Sequence, residues 1–303
     1  MLRHFLVPGD LSREEYRTLL RLAETLAADE AQFRDILRGR VLASLFFEPS
    51  TRTRLSFEAA MARLGGTTIH LGAQEVSSLA KGESLEDTIR ILEGYSDLAV
   101  IRSREEYLPQ HLSEVVENLP VINAGDGTHA HPTQTLADIL TIHQAHGKFS
   151  GLHIGLCGDL KFGRTVYSLL EFMDVEENRY SFIAPEDLQV PEEFASKLHN
   201  PHQCRGSLEE VIGDLDVLYM TRVQRERFGA GEEHHSPFVL NGKILEGAKE
   251  NLAILHPLPR VHEIAVDVDE DPRALYFRQA KNGMIMRMAL ILFLLNEKEG
   301  GIL

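Results

Sequence analysis

Short apolar segments alternate with helical segments along most of this chain of 303 residues. The run 41–47 predicts a buried strand, and 55–64 follows with the periodicity of a helix that ends at a Gly-Gly pair. Repeated strand-then-helix order is typical of parallel sheets, because a parallel neighbour can be reached only through a crossover connection. The alternation therefore predicts an α/β fold.

The alternation falls into two series. The strands of the first are predicted at 41–47, 67–71, 98–101 and 121–123. The strands of the second are predicted at 152–157, 180–184, 217–220 and 252–255, with helices at 164–173, 191–199 and 207–212. An apolar segment at 285–295 predicts a last helix that packs across a domain. We therefore expect two doubly wound parallel-sheet domains.

Composition narrows the class of protein. Hydrophobic residues at 43% and charged residues at 25% are ordinary for a soluble globular protein. The formal net charge of −15 argues against nucleic acid and anionic membranes as partners, because both attract basic surfaces. The start lacks the apolar segment of a signal peptide, and no run approaches about 20 apolar residues, so we expect a cytoplasmic protein. Cys157 and Cys204 lack metal-ligand spacing.

A polar run, 50–54, stands between the first predicted strand and its helix. The first N–H groups of a helix lack intrahelical partners and carry the positive end of the helix dipole, so they attract anions. Three hydroxyl groups and two guanidinium groups complete the site, on Ser50, Thr51, Thr53, Arg52 and Arg54. The alternative is a plain helix cap with solvated arginines. Because the dipole disfavours arginine in a first turn unless an anion is bound, we predict a phosphate site.

Further polar residues lie soon after other predicted strands. They are Arg102, His131, Arg164, Arg222 and His256. Ligands of open parallel sheets gather at the carboxyl ends of strands, so we expect these residues to line one edge together with 50–54. A lone histidine is more often structural than catalytic, but His131 adjoins a Gly-Asp-Gly turn and begins a helix. We predict that its imidazole donates a hydrogen bond to a carbonyl oxygen that gains charge.

Two turns suggest how other substrate groups are held. The segment 221–227 carries three arginines, which usually means a solvated surface, but Arg222 at a strand end with Gln224 beside it indicates carboxylate recognition. The proline-rich turn 255–260 has free carbonyls that could accept from an amide NH₂, and we predict a cis bond at Leu258–Pro259.

Other motifs are weak or lacking. The segment 158–165 approaches the spacing of a nucleotide P-loop, but Arg164 stands where that motif needs lysine. The sequence carries no Cys/His metal cluster, no serine elbow and no dinucleotide fingerprint. We therefore predict chemistry without a metal or cofactor that brings two anions together.

Five motifs together resemble the aspartate/ornithine carbamoyltransferase family, and they occur in family order from end to end. They are FEPSTRTR at 47–54, NAGDG at 123–127 with HPTQ at 131–134, GDLKFGRT at 158–165, YMTRVQ at 219–224 and LHPLPR at 255–260. Pro257 stands where the ornithine branch carries cysteine, so the resemblance favours the aspartate branch. An acceptor with carboxylates also suits Arg222 and Gln224.

The resemblance implies transfer of a carbamoyl group from carbamoyl phosphate to the α-amine of L-aspartate, giving N-carbamoyl-L-aspartate and phosphate in pyrimidine (UMP) synthesis. The residues implied to bind the phosphate are Ser50, Thr51, Arg52, Thr53 and Arg102. Those implied to contact the carbamoyl group are Thr53, Arg102 and His131 at its oxygen, and Gln134, Leu258 and Pro259 at its NH₂ side. Those implied to bind aspartate are Lys81, Arg164, Arg222 and Gln224. The implied catalytic set is Arg52, Thr53, Lys81, Arg102 and His131.

The resemblance also implies the assembly and the domains. Ser77 and Lys81 would come from a neighbouring subunit, which makes a homotrimer the minimal active unit. The implied domains are 1–131 for carbamoyl phosphate, 132–284 for aspartate with 132–147 as a linking helix, and 285–303 as a helix packing back on the first domain, with the active site in the cleft between them. A regulatory chain or a dihydroorotase could associate. Glu48 is expected to pair with Arg164 or Arg227.

Three other interpretations stay open at this point. A relative with another amine acceptor would have to be separated by its substrate preference. A catalytically silent scaffold would have little reason to keep a complete cationic site. A P-loop protein would bind ATP at 158–165, which the poor fit of that motif disfavours. The leaving phosphate is expected to take the proton of the aspartate amine, because no side chain is an obvious base.

Overall fold

The structure is a computed structural model that describes residues 3–71, 82–223 and 238–299. Two compact units make up the chain, and we call them unit 1 and unit 2. Unit 1 comprises Met1–Ala137 and Asn282–Leu303, and unit 2 comprises Asp138–Lys281. Among the helices of these described ranges, none is long and apolar enough to cross a membrane.

Unit 1 is built on a four-stranded parallel sheet with the order β2-β1-β3-β4. Its strands are β1 (Val41–Phe46), β2 (Thr67–Leu71), β3 (Leu98–Ser103) and β4 (Val121–Asp126). The helices that begin in it are α1 (Arg13–Ala28), α2 (Thr51–Arg63), α3 (Leu85–Glu93), α4 (Leu108–Ser113) and α5 (Pro132–His146). The pairing of β1 with β3 ends at Phe46↔Arg102, so the segment after β1 starts beside Arg102.

The two inner strands of unit 1 are apolar on both faces. Ala43, Leu45, Ala99 and Ile101 are buried in one cluster, which Leu112 of α4 joins. Central parallel strands are covered by helices on both sides, so they carry continuous apolar runs rather than an alternating pattern. This is why the first strand could be predicted from an apolar segment that only Ser44 interrupts.

Unit 2 is built on a five-stranded parallel sheet with the order β7-β6-β5-β8-β9. Its strands are β5 (His153–Cys157), β6 (Arg179–Ile183), β7 (His202–Arg205), β8 (Val217–Met220) and β9 (Ala253–Leu255). The helices that begin in it are α6 (Arg164–Met173), α7 (Glu192–Ala195), α8 (Gly242–Leu245) and α9 (Tyr276–Glu299). Cys157 pairs with Met220, and Tyr219 pairs with Leu255, so β5, β8 and β9 end side by side.

The predicted α/β class with two parallel-sheet domains is confirmed. Some element predictions were wrong. The expected helix 207–212 is a series of turns that still buries Leu208, Val211 and Ile212, and the expected helix 191–199 shrinks to the short α7. Strand β7 was missed because its pattern is half-exposed and polar rather than apolar.

Candidate active site

The polar run 50–54 forms the start of α2, as predicted. Ser50 is the N-cap residue, in extended conformation at φ −155° and ψ 95°, and its side chain makes no capping hydrogen bond among the described residues. Thr53 is buried in the first turn, and Arg52 is exposed. The carboxyl end of β1 therefore presents hydroxyl groups, a guanidinium and a helix N-terminus to one place, which is an arrangement that can bind an anion.

Arg54 differs from the expectation. Its Nε donates to Glu58 Oε1 at 2.7 Å along the helix, and His70 Nδ1 lies 3.6 Å from the same oxygen. Residues four apart on a helix share a face, so Glu58 is the local partner of Arg54. The Arg54 guanidinium, which was expected at the anion site, is bonded to Glu58 along α2 in the structure.

Arg102 brings three segments of unit 1 together at the end of β3. Its Nη2 lies 2.7 Å from Glu48 Oε1, and its Nη1 donates to the Ala124 carbonyl at 3.0 Å. The same Nη1 lies 3.3 Å from Nε2 of the buried His131. Glu48 was expected to pair with arginines such as Arg164 or Arg227; the structure pairs it with Arg102, and Arg227 lies outside the described residues.

The contacts of His131 determine where its proton lies. A guanidinium can only donate, so Nε2 accepts from Arg102 and the proton resides on Nδ1. Nδ1 lies 3.4 Å from Thr133 Oγ1, which also accepts from Arg287 Nη2 at 3.4 Å. The Arg287 guanidinium lies 5.1 Å from the centre of the Phe57 ring on α2. His131 is thereby connected to the C-terminal helix of the chain.

Asp126 holds the turn that carries His131. Its buried carboxylate accepts from Asn123 Nδ2 at 2.8 Å and from the Ala130 N–H at 3.1 Å through Oδ1. Its Oδ2 accepts from the Tyr107 N–H at 2.8 Å and lies 2.8 Å from His129 Nδ1. A buried carboxylate with four donors rigidifies its surroundings, because each lost partner would leave a charge uncompensated.

Unit 2 carries two of the residues predicted to bind the substrate aspartate, in the segments that follow β5 and β8. Arg164 is the first residue of α6 and is buried, and Arg222 is the second residue after β8. Thr221 ties the two segments together, since its one hydroxyl proton is within reach of two carbonyls, those of Cys157 at 3.1 Å and Asp159 at 3.2 Å from Oγ1. Arg164 and Arg222 thus stand in the segments that follow two neighbouring strands, and guanidinium groups are suited to binding carboxylates.

The third segment at this edge of the unit 2 sheet, beside those that follow β5 and β8, is the turn after β9. Leu258–Pro259 is a cis peptide bond, as predicted, and Leu258 has a positive φ of 56°. His256 is almost fully buried, its Nδ1 accepts from the Leu258 N–H at 2.7 Å, and its Nε2 lies 2.7 Å from Glu263 Oε1. Although burial acts to raise the pKa of Glu263, hydrogen bonds from His256 and from backbone N–H groups outweigh it and lower the pKa to about 2.

Contacts between predicted site residues are seen in unit 1. In unit 1 the structure places Arg102 and His131 in contact, and Gln134 follows in the first turn of α5, where its N–H donates to the His131 carbonyl at 2.9 Å. The predicted site residues Ser77, Lys81 and Gln224 lie outside the described residues. The binding roles of all these side chains stay predictions.

Several buried polar residues around the site were missed by sequence reasoning. They are Asp126, Thr133, Glu263 and Gln279. Asp126 stands in the NAGDG motif, which could have identified it, whereas Glu263 and Gln279 stand in no motif that we analysed. Among the residues that the structure describes, no group of three His, Cys, Asp or Glu side chains could hold a metal ion.

Comparison with known proteins gives the family. Residues 3–144 match the carbamoyl-P binding domain of aspartate/ornithine carbamoyltransferases, and residues 150–294 match the Asp/Orn binding domain. The aspartate carbamoyltransferase catalytic subunit of Lachnoclostridium phytofermentans is 48% identical over 303 residues, covering 97% of this chain and 98% of that protein. The aspartate carbamoyltransferase catalytic subunit of Clostridium novyi is 48% identical over 296 residues, covering 95% of this chain and 96% of that protein.

Solved structures of aspartate transcarbamoylases also match this chain. The catalytic subunit of M. jannaschii aspartate transcarbamoylase superposes with a TM-score of 0.90 at 40% identity, covering 99% of this chain and 100% of that chain. The aspartate transcarbamoylase of Trypanosoma cruzi, in complex with N-(phosphonacetyl)-L-aspartic acid, superposes with a TM-score of 0.88 at 38% identity, covering 95% of this chain and 94% of that chain. The chain therefore belongs to the aspartate/ornithine carbamoyltransferase family.

Proposed function

We infer that this chain is an aspartate carbamoyltransferase, which transfers the carbamoyl group of carbamoyl phosphate to the amine of L-aspartate in pyrimidine biosynthesis. The observation that carries this conclusion is identity of 48% to named aspartate carbamoyltransferases across almost the whole chain. The structural observation that supports it is the presence of arginines at or soon after strand ends in both units. The Trypanosoma cruzi relative has been crystallised with carbamoyl phosphate and aspartate.

The phosphate of carbamoyl phosphate binds, in this proposal, at the start of α2. The proposed ligands are Ser50, Thr51, Arg52, Thr53 and Arg102. The N-terminus of α2 and two guanidinium groups supply the positive charge that a phosphate dianion needs. Since the whole chain carries a net charge of −15, this local cluster has to act against the overall field.

The carbamoyl group is proposed to lie between donors and acceptors of fixed direction. Thr53, Arg102 and His131 donate to the carbamoyl oxygen, which gains negative charge as the amine attacks the carbon. His131 would need its proton on Nε2 for this, so the tautomer seen with Arg102 has to change when substrate binds. Gln134 and the Leu258 carbonyl, beside Pro259, accept from the carbamoyl NH₂.

Aspartate is proposed to bind through its two carboxylates. Arg164 and Arg222 supply guanidinium groups at neighbouring strand ends, and Gln224 adds an amide. The amine forms the new bond to the carbamoyl carbon while the bond from that carbon to the phosphate oxygen breaks. The departing phosphate accepts the amine proton, so the enzyme need not supply a base.

The assembly is also a proposal. Ser77 and Lys81 are assigned to a neighbouring subunit's site, with Lys81 among the catalytic residues, so a homotrimer with shared sites is the expected active form. The relatives are named catalytic subunits, which supports a regulatory chain as a further partner, whereas a dihydroorotase stays an expectation from the resemblance. We keep a cytoplasmic location as an expectation. The acidic composition supports the further expectation of no membrane or nucleic-acid partner.

The direct test is formation of carbamoyl-aspartate by the purified chain. We expect activity with aspartate and not with ornithine, and a loss of roughly a hundredfold or more in Arg52→Ala, because a guanidinium that holds the transferred group's phosphate is removed. Arg17→Ala is the matched control, since Arg17 is exposed on α1 and pairs only loosely with Glu14 at 3.4 Å. Carbamoylation of ornithine in place of aspartate would contradict the proposal.

A further inference from the structure

A chain of hydrogen bonds runs through the interior of unit 2. Tyr219 Oη donates to Asp138 Oδ2 at 3.0 Å, and Gln279 Nε2 donates to Asp138 Oδ1 at 2.6 Å. Gln279 Oε1 accepts from the His256 N–H at 2.9 Å, and His256 Nε2 lies 2.7 Å from Glu263 Oε1. All five side chains are at most 6% exposed. Buried polar chains of this kind are costly unless every member is satisfied.

The direction of each hydrogen bond follows from the donors near β9, where this series of hydrogen bonds ends. The Leu258 N–H donates to His256 Nδ1 at 2.7 Å, so Nδ1 carries no proton. The proton of the neutral ring therefore lies on Nε2, which donates to Glu263. Glu263 Oε2 accepts from the N–H groups of Val261 at 3.1 Å and His262 at 3.0 Å. Glu263 thus binds both arms of the turn that begins at His256.

Gln279 has one orientation for the same reason. Its Oε1 faces a backbone N–H, so its NH₂ has to face Asp138. Asp138 is buried and receives a second donor from Tyr219, which lies two residues before Thr221 on the β8 edge. This series of hydrogen bonds therefore ties the end of β9 to the end of β8 through α5 and α9.

We propose that Glu263, His256 and Gln279 are positioning residues that set the direction of the Leu258 carbonyl, and thereby the selectivity for the carbamoyl NH₂. This inference rests on the proposed function, which assigns that carbonyl to the NH₂. Leu258 has a positive φ and its N–H is bonded to the His256 ring, so the ring determines how the peptide after it is rotated. None of the three side chains touches the reacting atoms in this proposal.

The test compares carbamoyl phosphate with acetyl phosphate, in which a methyl group replaces the NH₂. In Glu263→Gln the amide has one oxygen for three donors, so its NH₂ has to face a donor. We expect the preference for carbamoyl phosphate over acetyl phosphate to fall roughly tenfold, as for a lost hydrogen bond. Inhibition by inorganic phosphate should stay within about twofold, because the phosphate ligands are in unit 1. Glu250→Gln, at an exposed position of unit 2, is the charge-matched control.

A second pair of variants at His256 keeps the test independent of folding defects in Glu263→Gln. Asn at this position retains an acceptor near Nδ1 for the Leu258 N–H, whereas Leu does not. We expect His256→Asn to retain more of the preference for carbamoyl phosphate than His256→Leu. Equal preference in the two variants, with phosphate inhibition intact, would overturn the positioning role.

Gln134→Leu separates failure of this inference from failure of the proposed function. Gln134 is assigned to the same NH₂, so its loss should lower the same preference. If Gln134→Leu lowers the preference and Glu263→Gln leaves it unchanged, the assignment of the NH₂ stands and the positioning role of Glu263 is overturned. If neither variant lowers it, the assignment of the NH₂ itself is wrong, and the inference fails with it.

Discussion

Glu48 Oε1 lies 2.7 Å from Arg102 Nη2, so a carboxylate already accompanies the guanidinium that we assign to the phosphate. The Glu48 and Arg102 side chains are 16% and 12% exposed, which limits the solvent that screens them. An incoming phosphate therefore has to compete with Glu48 for the same donors.

This competition predicts tighter binding of phosphate in Glu48→Gln. The amide keeps the shape of the side chain but removes a negative charge beside an anion site, and we expect inorganic phosphate to bind roughly fivefold tighter, about 1 kcal/mol. Isothermal titration calorimetry measures the change. Glu114→Gln removes an equal charge at an exposed helix end and should leave the affinity unchanged. Unchanged or weaker binding in Glu48→Gln would show that Glu48 does not compete.

The pKa of Glu263 predicts how stability depends on pH. Its folded-state pKa of about 2 is below the value of 4.5 for an unperturbed Glu, so its carboxylate stabilises the fold above pH 4.5. That contribution is lost as the pH falls from 4.5 towards 2. Urea unfolding of the wild type and Glu263→Gln should differ by roughly 3 kcal/mol near neutral pH and converge in acid. A difference independent of pH would contradict the assignment.

Gly158 predicts a steric link between β5 and the Arg222 segment. Gly158 has a φ of +116°, and a Cβ there would lie 2.7 Å from Thr221 Oγ1 and closer still to the Thr221 carbonyl oxygen. Gly158→Ala should therefore displace Thr221 and raise the KM for aspartate, with a loss of roughly 3 kcal/mol in the free energy of unfolding.

Gly147→Ala is its matched control. Gly147 also has a positive φ, +67°, but a Cβ there meets nothing within 4 Å. It should cost only about 1 kcal/mol of backbone strain and leave the KM for aspartate unchanged. Thermal unfolding and aspartate saturation curves measure both effects. Equal KM values in the two variants would rule out the steric link.

Thr133 predicts an effect on catalysis through His131. Thr133→Val removes the hydroxyl 3.4 Å from His131 Nδ1 with little change in the shape of the side chain. When His131 carries its proton on Nε2, as the proposed function requires, this hydroxyl can donate to Nδ1, so we expect kcat to fall roughly tenfold. Nitrogen-15 chemical shifts of the imidazole should report a change in the tautomer of His131. Thr135 is also buried, on the same helix, and its hydroxyl has no partner among the described residues. Thr135→Val should therefore keep both kcat and the His131 shifts, and a fall in kcat common to both variants would point to a general packing defect.

Much of the fold was accessible from local patterns. The strands of unit 1 and the start of α2 followed from apolar runs and from a polar segment at a strand-to-helix junction. The errors fell where the local pattern was ambiguous. The segment 207–212 has apolar residues at helical spacing but buries them in turns, and β7 is a polar strand with few apolar residues. The last helix extends over Tyr276–Glu299, well beyond the predicted apolar segment 285–295, because its first turns are more polar.

The sequence by itself determined the α/β class, the start of a helix at the polar turn 50–54, and the position of Arg102, Arg222 and His131 at or soon after strand ends. These features depend on periodicity, on helix starts and on strand ends, which are properties of neighbouring residues. Only the tertiary structure decided that Glu48 pairs with Arg102, that Asp138 receives Gln279 across 141 positions, and that Thr133 receives Arg287 across 154. A buried polar side chain takes its partner from whatever segment the fold packs against it, so no local pattern specifies that partner.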